Sequence, residues 1–98
     1  MEATSTFDAL RRRTYHPLTL QFEGDMTARA AILADVRAEG SHDISLSCRF
    51  DNPAYDELAR KLGSKLTISI GDETYSCRLH AIHPESVNVH ALTVRVVK

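Results

Sequence analysis

Apolar and polar residues alternate with a period of two along most of the second half of the chain. Leu66, Ile68 and Ile70 alternate with Lys65, Thr67 and Ser69, and Tyr75, Cys77, Leu79 and Ala81 alternate with Thr74, Ser76, Arg78 and His80. That period marks half-buried strands. Gly71-Asp72 between the two runs is a two-residue loop of the kind that matches strand twist. With these two residues in the loop, Ile70 faces Glu73, Ile68 faces Tyr75, Leu66 faces Cys77 and Thr67 faces Ser76. One face of this hairpin then carries Leu66, Ile68, Ile70, Tyr75, Cys77, Leu79 and Ala81, and the other face is polar. A slip of one residue would turn the apolar row into water, so the register is firmly specified.

The same alternation predicts three further strands. Leu18, Leu20 and Phe22 follow His16-Pro17; Ile44, Leu46, Cys48 and Phe50 alternate with Ser45, Ser47, Arg49 and Asp51; and Leu92, Val94 and Val96 close the chain with Thr93 and Arg95 outward. Gly24-Asp25 is a turn signal, residues 40–43 read as a loop, and His83-Pro84-Glu85-Ser86 breaks the long hairpin. Residues 27–38 fit two patterns. Ala28, Ile32 and Val36 make a helical face and the alanines favour helix, while Ala28, Ala30, Ile32, Ala34 and Val36 form an unbroken period-two row. With Gly24-Asp25 as a hairpin turn, the segment is the returning strand.

Two short helices complete the prediction. Residues 5–13 form one, with Ser5 or Thr6 as cap, Phe7 and Leu10 on one side and Arg11, Arg12 and Arg13 at its end, where cations suit the helix dipole. The other starts at Asn52-Pro53, with Asn as N-cap and Pro at the first helical position, buries Tyr55, Leu58 and Leu62, and stops at Gly63. The expected fold is mainly β with short helices (α+β): a small antiparallel β-barrel or sandwich with an N-terminal helix and one short internal helix. The 98 residues make a single domain, with an N-terminal helical arm over 1–15 and a β-rich core over 16–98.

Composition narrows the function classes. A net charge of −1 supplies no global basic field for nucleic acid. There is no run of 18 apolar residues that would span a membrane, and the polar, acidic N-terminus argues against a signal peptide and for synthesis in the cytoplasm. Cys48 and Cys77 both fall on apolar strand rows and read as reduced, buried small hydrophobes. Cys77, His80 and His83, with His16, His42 or His90, suggest a metal site. Cys77 and His80 differ by three, however, and so point to opposite faces, whereas zinc needs ligands converging at about 2.0–2.3 Å. The histidines read instead as surface residues near loops. No nucleophile elbow, phosphate loop or HExxH is present, and the Asp56-Glu57 carboxylates sit on an outward turn. The expectation is a protein without catalytic, metal or cofactor residues. Arg11-Arg12-Arg13 is the only charge run and the one candidate partner contact, to an acidic protein surface or a phosphate backbone. Without interleaved aromatics it is weak as a nucleic-acid signature.

Three places in the chain resemble the small head–tail joining proteins of lambda-like tailed phages and prophages. They are the Phe7-Asp8-Ala9-Leu10 helix leading to Leu18-Thr19-Leu20 and Gly24-Asp25; the Cys48-Arg49-Phe50-Asp51 strand end followed by Asp56, Leu58 and Leu62; and Leu62-Gly63-x-x-Leu66-Thr67-Ile68, then Ile70-Gly71-Asp72-Glu73-x-Tyr75 and Ile82-His83-Pro84. Each hairpin arm is about two residues longer than the family pattern, which leaves every side chain on its face. The resemblance implies a structural protein of the virion, present in the host cytoplasm during assembly. It would be a monomer when free and form a ring at the neck between connector and tail proteins, with residues 1–15, 37–43 and 84–91 ordering at the interfaces. It implies no cofactor, no membrane and no sequence-specific nucleic acid. An alternative from the residues alone is a small soluble adaptor or inhibitor that binds a host protein by strand addition at the exposed hairpin edge. Another is a small nucleic-acid-binding β-domain using Arg11–Arg13.

Overall fold

The computed structural model describes residues 3–40 and 42–97. Six antiparallel strands close into a barrel in the order β1-β2-β3-β6-β5-β4. The strands are β1 (Pro17–Phe22), β2 (Arg29–Ala38), β3 (Asp43–Arg49), β4 (Lys65–Ile70), β5 (Glu73–Pro84) and β6 (Val89–Val96), with helices α1 (Ala3–Arg11) and α2 (Tyr55–Ala59). Each half of the chain contributes three consecutive strands. Pairing of β3 with β6 and of β1 with β4 joins the halves, and α2 belongs to the connection between them. Closure gives both arms of the β4–β5 hairpin a second partner, β1 along β4 and β6 along β5 from Cys77 onward, and leaves Glu73–Tyr75 at the tip paired with β4 alone.

The interior is apolar and continuous. Leu18, Leu20, Leu33, Ile44, Leu46, Ile68, Leu79, Leu92 and Val94 point inward, Leu10 of α1 joins them, and Phe50, Ala54 and Leu58 reach the core from the β3–α2 connection. Register in the hairpin is the one the turn dictates: Ile70 opposite Glu73, Ile68 opposite Tyr75, Leu66 opposite Cys77 and Thr67 opposite Ser76.

Residues 27–38 are a strand, but its buried row is not the one the alanines suggest. Ala31, Leu33 and Val36 face inward, while Ala28, Ala30 and Ile32 are exposed. A β-bulge between Leu33 and Asp35 inserts Ala34, so two inward residues stand three apart. β5 repeats the device. A bulge between Leu79 and Ala81 inserts the exposed His80, and Ile82 replaces Ala81 as the next inward residue. β5 also runs through His83-Pro84, and the break falls over 85–88.

Both helices differ from expectation at their starts. α1 begins at Ala3, so Ser5 and Thr6 lie inside it and do not cap it, and Arg12 and Arg13 fall in the following turn. Asn52 and Pro53 precede α2 without starting it. Ala54 holds the N-cap position with no side-chain cap. Tertiary demands override the local signal: Phe50 and Ala54 must both reach the core, and the Ala54 N–H donates to His90. Only Leu58 of the expected inner face is fully buried; Tyr55 and Leu62 are 38% and 48% exposed. The helix stops at Ala59, and tight turns carry the chain to Gly63 at φ +86, whose N–H bonds to the Leu79 carbonyl at 2.8 Å.

Candidate partner-binding surface

β2 is apolar on both sides. Its inner row packs into the barrel, and its outer row presents Ala30 and Ile32 to solvent, with exposed Ala28 leading in and Met26 fully exposed in the preceding turn. Neighbouring strands do not share this property. The outward residues are Thr19 and Gln21 on β1, Ser45, Ser47 and Arg49 on β3, and Lys65, Thr67 and Ser69 on β4. A solvent-facing apolar row on one strand of an otherwise polar barrel is the pattern of an interaction site.

Strand pairing extends the patch sideways. Ile32 lies opposite Pro17 on β1 and Arg49 on β3, and Arg49 lies opposite Val89 on β6. Pro17 and Arg49 are exposed, and Val87 in the β5–β6 loop is 74% exposed. Arg49, Ser86, Val87, Asn88 and Val89 line a depression of about 310 Å³ beside Ile32. Arg49 forms no ion pair among the described residues, and strand pairing sets it between Ile32 and Val89. Arginine in that setting is a recurrent interface anchor.

The remaining outward positions of β3 are covered. Ser45 and Ser47 are each 5% exposed. Arg37 on β2 pairs at 3.6 Å with Glu85 beyond the end of β5, on the far side of β3 and β6. With Ser45 and Ser47 buried, Ile32 and Arg49 are the exposed neighbours across β2 and β3 on this wall.

The structure separates the three arginines of the charge run. Arg11 ends α1 with its guanidinium 5.6 Å from the Phe7 ring centroid. Arg12 is exposed. Arg13 turns back to the β4–β5 turn, pairs with Glu73 at 3.6 Å and lies directly against Gly71. The three guanidiniums thus have separate surroundings and do not act as one free basic patch. The corner that follows is rigid: Tyr15 N–H bonds the Leu33 carbonyl at 2.5 Å and Leu33 N–H bonds the His16 carbonyl at 3.1 Å. Tyr15 is held at φ +71 with its side chain 80% exposed. Of the three segments expected to order at interfaces, much is regular structure in the free chain, in α1, the ends of β2 and β3, and β5–β6; residues 1, 2 and 41 lie outside the described residues.

The groups that suggest chemistry are dispersed. Cys77 is buried inside and His80 exposed outside, on opposite sides of β5. His90 is not a surface histidine: it is 2% exposed, because it shares the parity of the inward residues Leu92 and Val94. Both cysteines are free, and burial pushes each thiol up to about 12. A depression of about 410 Å³ crosses β1, β4 and β5, lined by Gln21, Thr67, Ser76 and Val97 among others. The Cys77 thiol at its wall is far from an ionised nucleophile. Among the described residues no three of His, Cys, Asp and Glu converge as metal ligands, and no helix is long and apolar enough to cross a membrane.

Residue reasoning set Arg49 on the polar row of β3 without giving it a role, and did not read Ile32 as a surface residue. The apolar outer row was visible as Ala28, Ala30, Ile32 and Ala34, but nothing in the alternation alone tells which of two apolar faces is inside. Compared with protein-family models, curated proteins and solved structures, the chain matches none.

Proposed function

We propose that this chain is a non-enzymatic virion-assembly protein of the head–tail joining kind, acting by protein–protein contact at a phage or prophage neck. The observation that carries the contact role is the exposed apolar outer row of β2 with Arg49 beside it, on a barrel whose other rows are largely polar. The kind of assembly comes from the resemblance carried by the three stretches of sequence named above. Edge closure supports a side-chain face as the means of contact over strand addition at the β4–β5 hairpin, where β4 is paired on both sides and β5 is paired on both sides from Cys77 to Arg78. The patch is small. Exposed apolar patches of this kind measure a few hundred Å², below the roughly 800 Å² per partner of a stable pair. A free monomer that assembles only where several weak contacts act together fits that size.

The test is complementation of heads that lack this protein, scored by electron microscopy for attached tails. Restoration by the natural chain and its loss in Ile32→Asp supports the reading. Heads that stay tailless with the natural chain overturn it.

A further inference from the structure

Two buried side-chain atoms have no protein partner among the described residues: Asn88 Oδ1 and His90 Nδ1. They belong to residues two apart in sequence, Asn88 in the bend that leads into β6 and His90 second in that strand. His90 is enclosed on every side. Its ring stacks on Phe50 with centroids 5.6 Å apart and meets Tyr55 edge-on at 6.1 Å. Its Nε2 lies 3.3 Å from the Ala54 backbone nitrogen, whose N–H donates to it.

That one bond assigns the proton of the ring. An N–H can donate only to a nitrogen that offers a lone pair, so Nε2 is unprotonated and the neutral imidazole carries its hydrogen on Nδ1. His90 Nδ1–H is then a buried donor without an acceptor, and Asn88 Oδ1 is a buried acceptor without a donor. Each orphan alone is costly, and the two are complementary. A single water accepts from the first and donates to the second, which is how buried polar atoms of this kind are ordinarily satisfied.

We infer that His90 and Asn88 bind one internal water, which fixes the imidazole as the Nδ1–H tautomer and fastens the β5–β6 loop to the segment leading into α2. The backbone already joins the same two segments once, through Phe50 N–H to the Asn88 carbonyl at 2.8 Å. Asn88 is therefore gripped by its main chain and its side chain together. Its neighbours Val87 and Val89 line the depression beside Arg49, so the water joint positions one wall of the candidate partner surface. Asn88 and His90 act here as positioning residues. The inference stands on the free chain and does not depend on the assembly reading.

The test uses the full-length protein labelled with nitrogen-15. Long-range proton–nitrogen spectra of the imidazoles report the tautomer, and magnetisation exchange reports water bound near the Nδ1 proton. The expected result is an Nδ1–H tautomer for His90 with a cross-peak from that proton to a long-lived water. An Nε2–H tautomer, or a direct Asn88–His90 hydrogen bond with no water cross-peak, overturns the inference. The variant Asn88→Leu removes the acceptor while keeping bulk. It is expected to abolish the water cross-peak and speed hydrogen exchange of the Ala54 amide about tenfold, with the amides of β4 much less affected. Unchanged exchange at Ala54 in that variant also overturns it, and the spectra of the natural chain decide the matter if the variant does not fold.

Discussion

Ile32 and Leu33 are consecutive on β2 and live in different solvents: Ile32 is 43% exposed between Pro17 and Arg49, and Leu33 is fully buried opposite Cys48. The two positions should separate function from stability. Leu33→Ala removes a core side chain and is expected to cost about 2–5 kcal/mol. Ile32→Asp sits outside the core and is expected to change stability by about 1 kcal/mol or less, part of it from the lower strand propensity of Asp. Urea unfolding of both variants measures this. Equal losses would mean that the outer row is packed and not open.

Arg49 offers a second probe of the same face. Arg49→Glu reverses the charge of an exposed residue that forms no ion pair among the described residues. The expected outcome is an unchanged melting temperature, within about 0.5 kcal/mol of natural stability, together with loss of tail attachment in the complementation assay. A drop in stability as large as that of Leu33→Ala would show that Arg49 is structural.

Much of this architecture was legible in the chain, and the misreadings share one cause. The β4–β5 register followed from Gly71-Asp72 and the alternation around it, because a two-residue loop leaves no freedom in pairing. Residues 27–38 were ambiguous because Leu33 and Val36 stand three apart. That spacing belongs to a helical face and equally to a strand with a bulge, and only the pairing with β3 decides. Leu79 and Ile82 repeat the case, which is why Ala81 reads as inward until β6 is placed beside it. Asn52-Pro53 is a sound local helix start that loses to the bond between Ala54 and His90, a contact separated by 36 residues. The partner surface was the least legible part. Whether an apolar row covers a core or awaits a partner depends on how the barrel closes.

The thiols predict alkaline sensitivity. Burial raises Cys48 and Cys77 from 9.0 to about 12, with Glu85 adding to the effect at Cys48. Tyr75 is raised as well, by burial first and then by its hydrogen bond to Glu73. In each case the folded value is the higher one. Between the ordinary and the raised value the unfolded chain releases a proton that the native chain keeps, so stability falls as pH rises. The stabilisation is fully present below about pH 9 and declines towards pH 12, by at most about 1.4 kcal/mol per pH unit for each thiol. Urea unfolding at a series of alkaline pH values measures the slope. Replacing both cysteines with alanine should flatten it, and an unchanged slope would assign the effect elsewhere. At neutral pH neither thiol should react with an aromatic disulfide reagent until the chain is unfolded.

Asp43 behaves in the opposite sense. It accepts hydrogen bonds from Arg95 Nε at 2.8 Å and Nη2 at 3.3 Å. The hydrogen bond to Arg95 is the main reason its carboxyl lies below its ordinary 3.8, partly offset by burial. A depressed carboxyl stabilises the fold above its unfolded value, and that contribution is lost as pH falls through the folded one. Arg95→Ala should move the Asp43 carboxyl upward towards its ordinary value in a carbon-13 titration. If the titration does not move, the pair is not what holds the carboxyl down.

The corner between α1 and β1 makes two substitutions run against simple expectation. Tyr15 has φ +71 and its ring stands in solvent, so the residue carries backbone strain with little burial to offset it. Tyr15→Gly should therefore be neutral or stabilising by up to about 1 kcal/mol, although it removes a large side chain. Across the same corner Gly71 stands at φ +59 with the Arg13 guanidinium where a Cβ would be. Gly71→Ala adds left-handed strain and displaces Arg13 from Glu73, and should cost about 1 kcal/mol. Arg13→Ala in that background removes the clash but not the strain, so it should restore only part of the loss. Thermal unfolding of the three variants decides. Full recovery in the double variant would place the whole cost in the Arg13 contact, and destabilisation by Tyr15→Gly would mean that the ring packs on the corner.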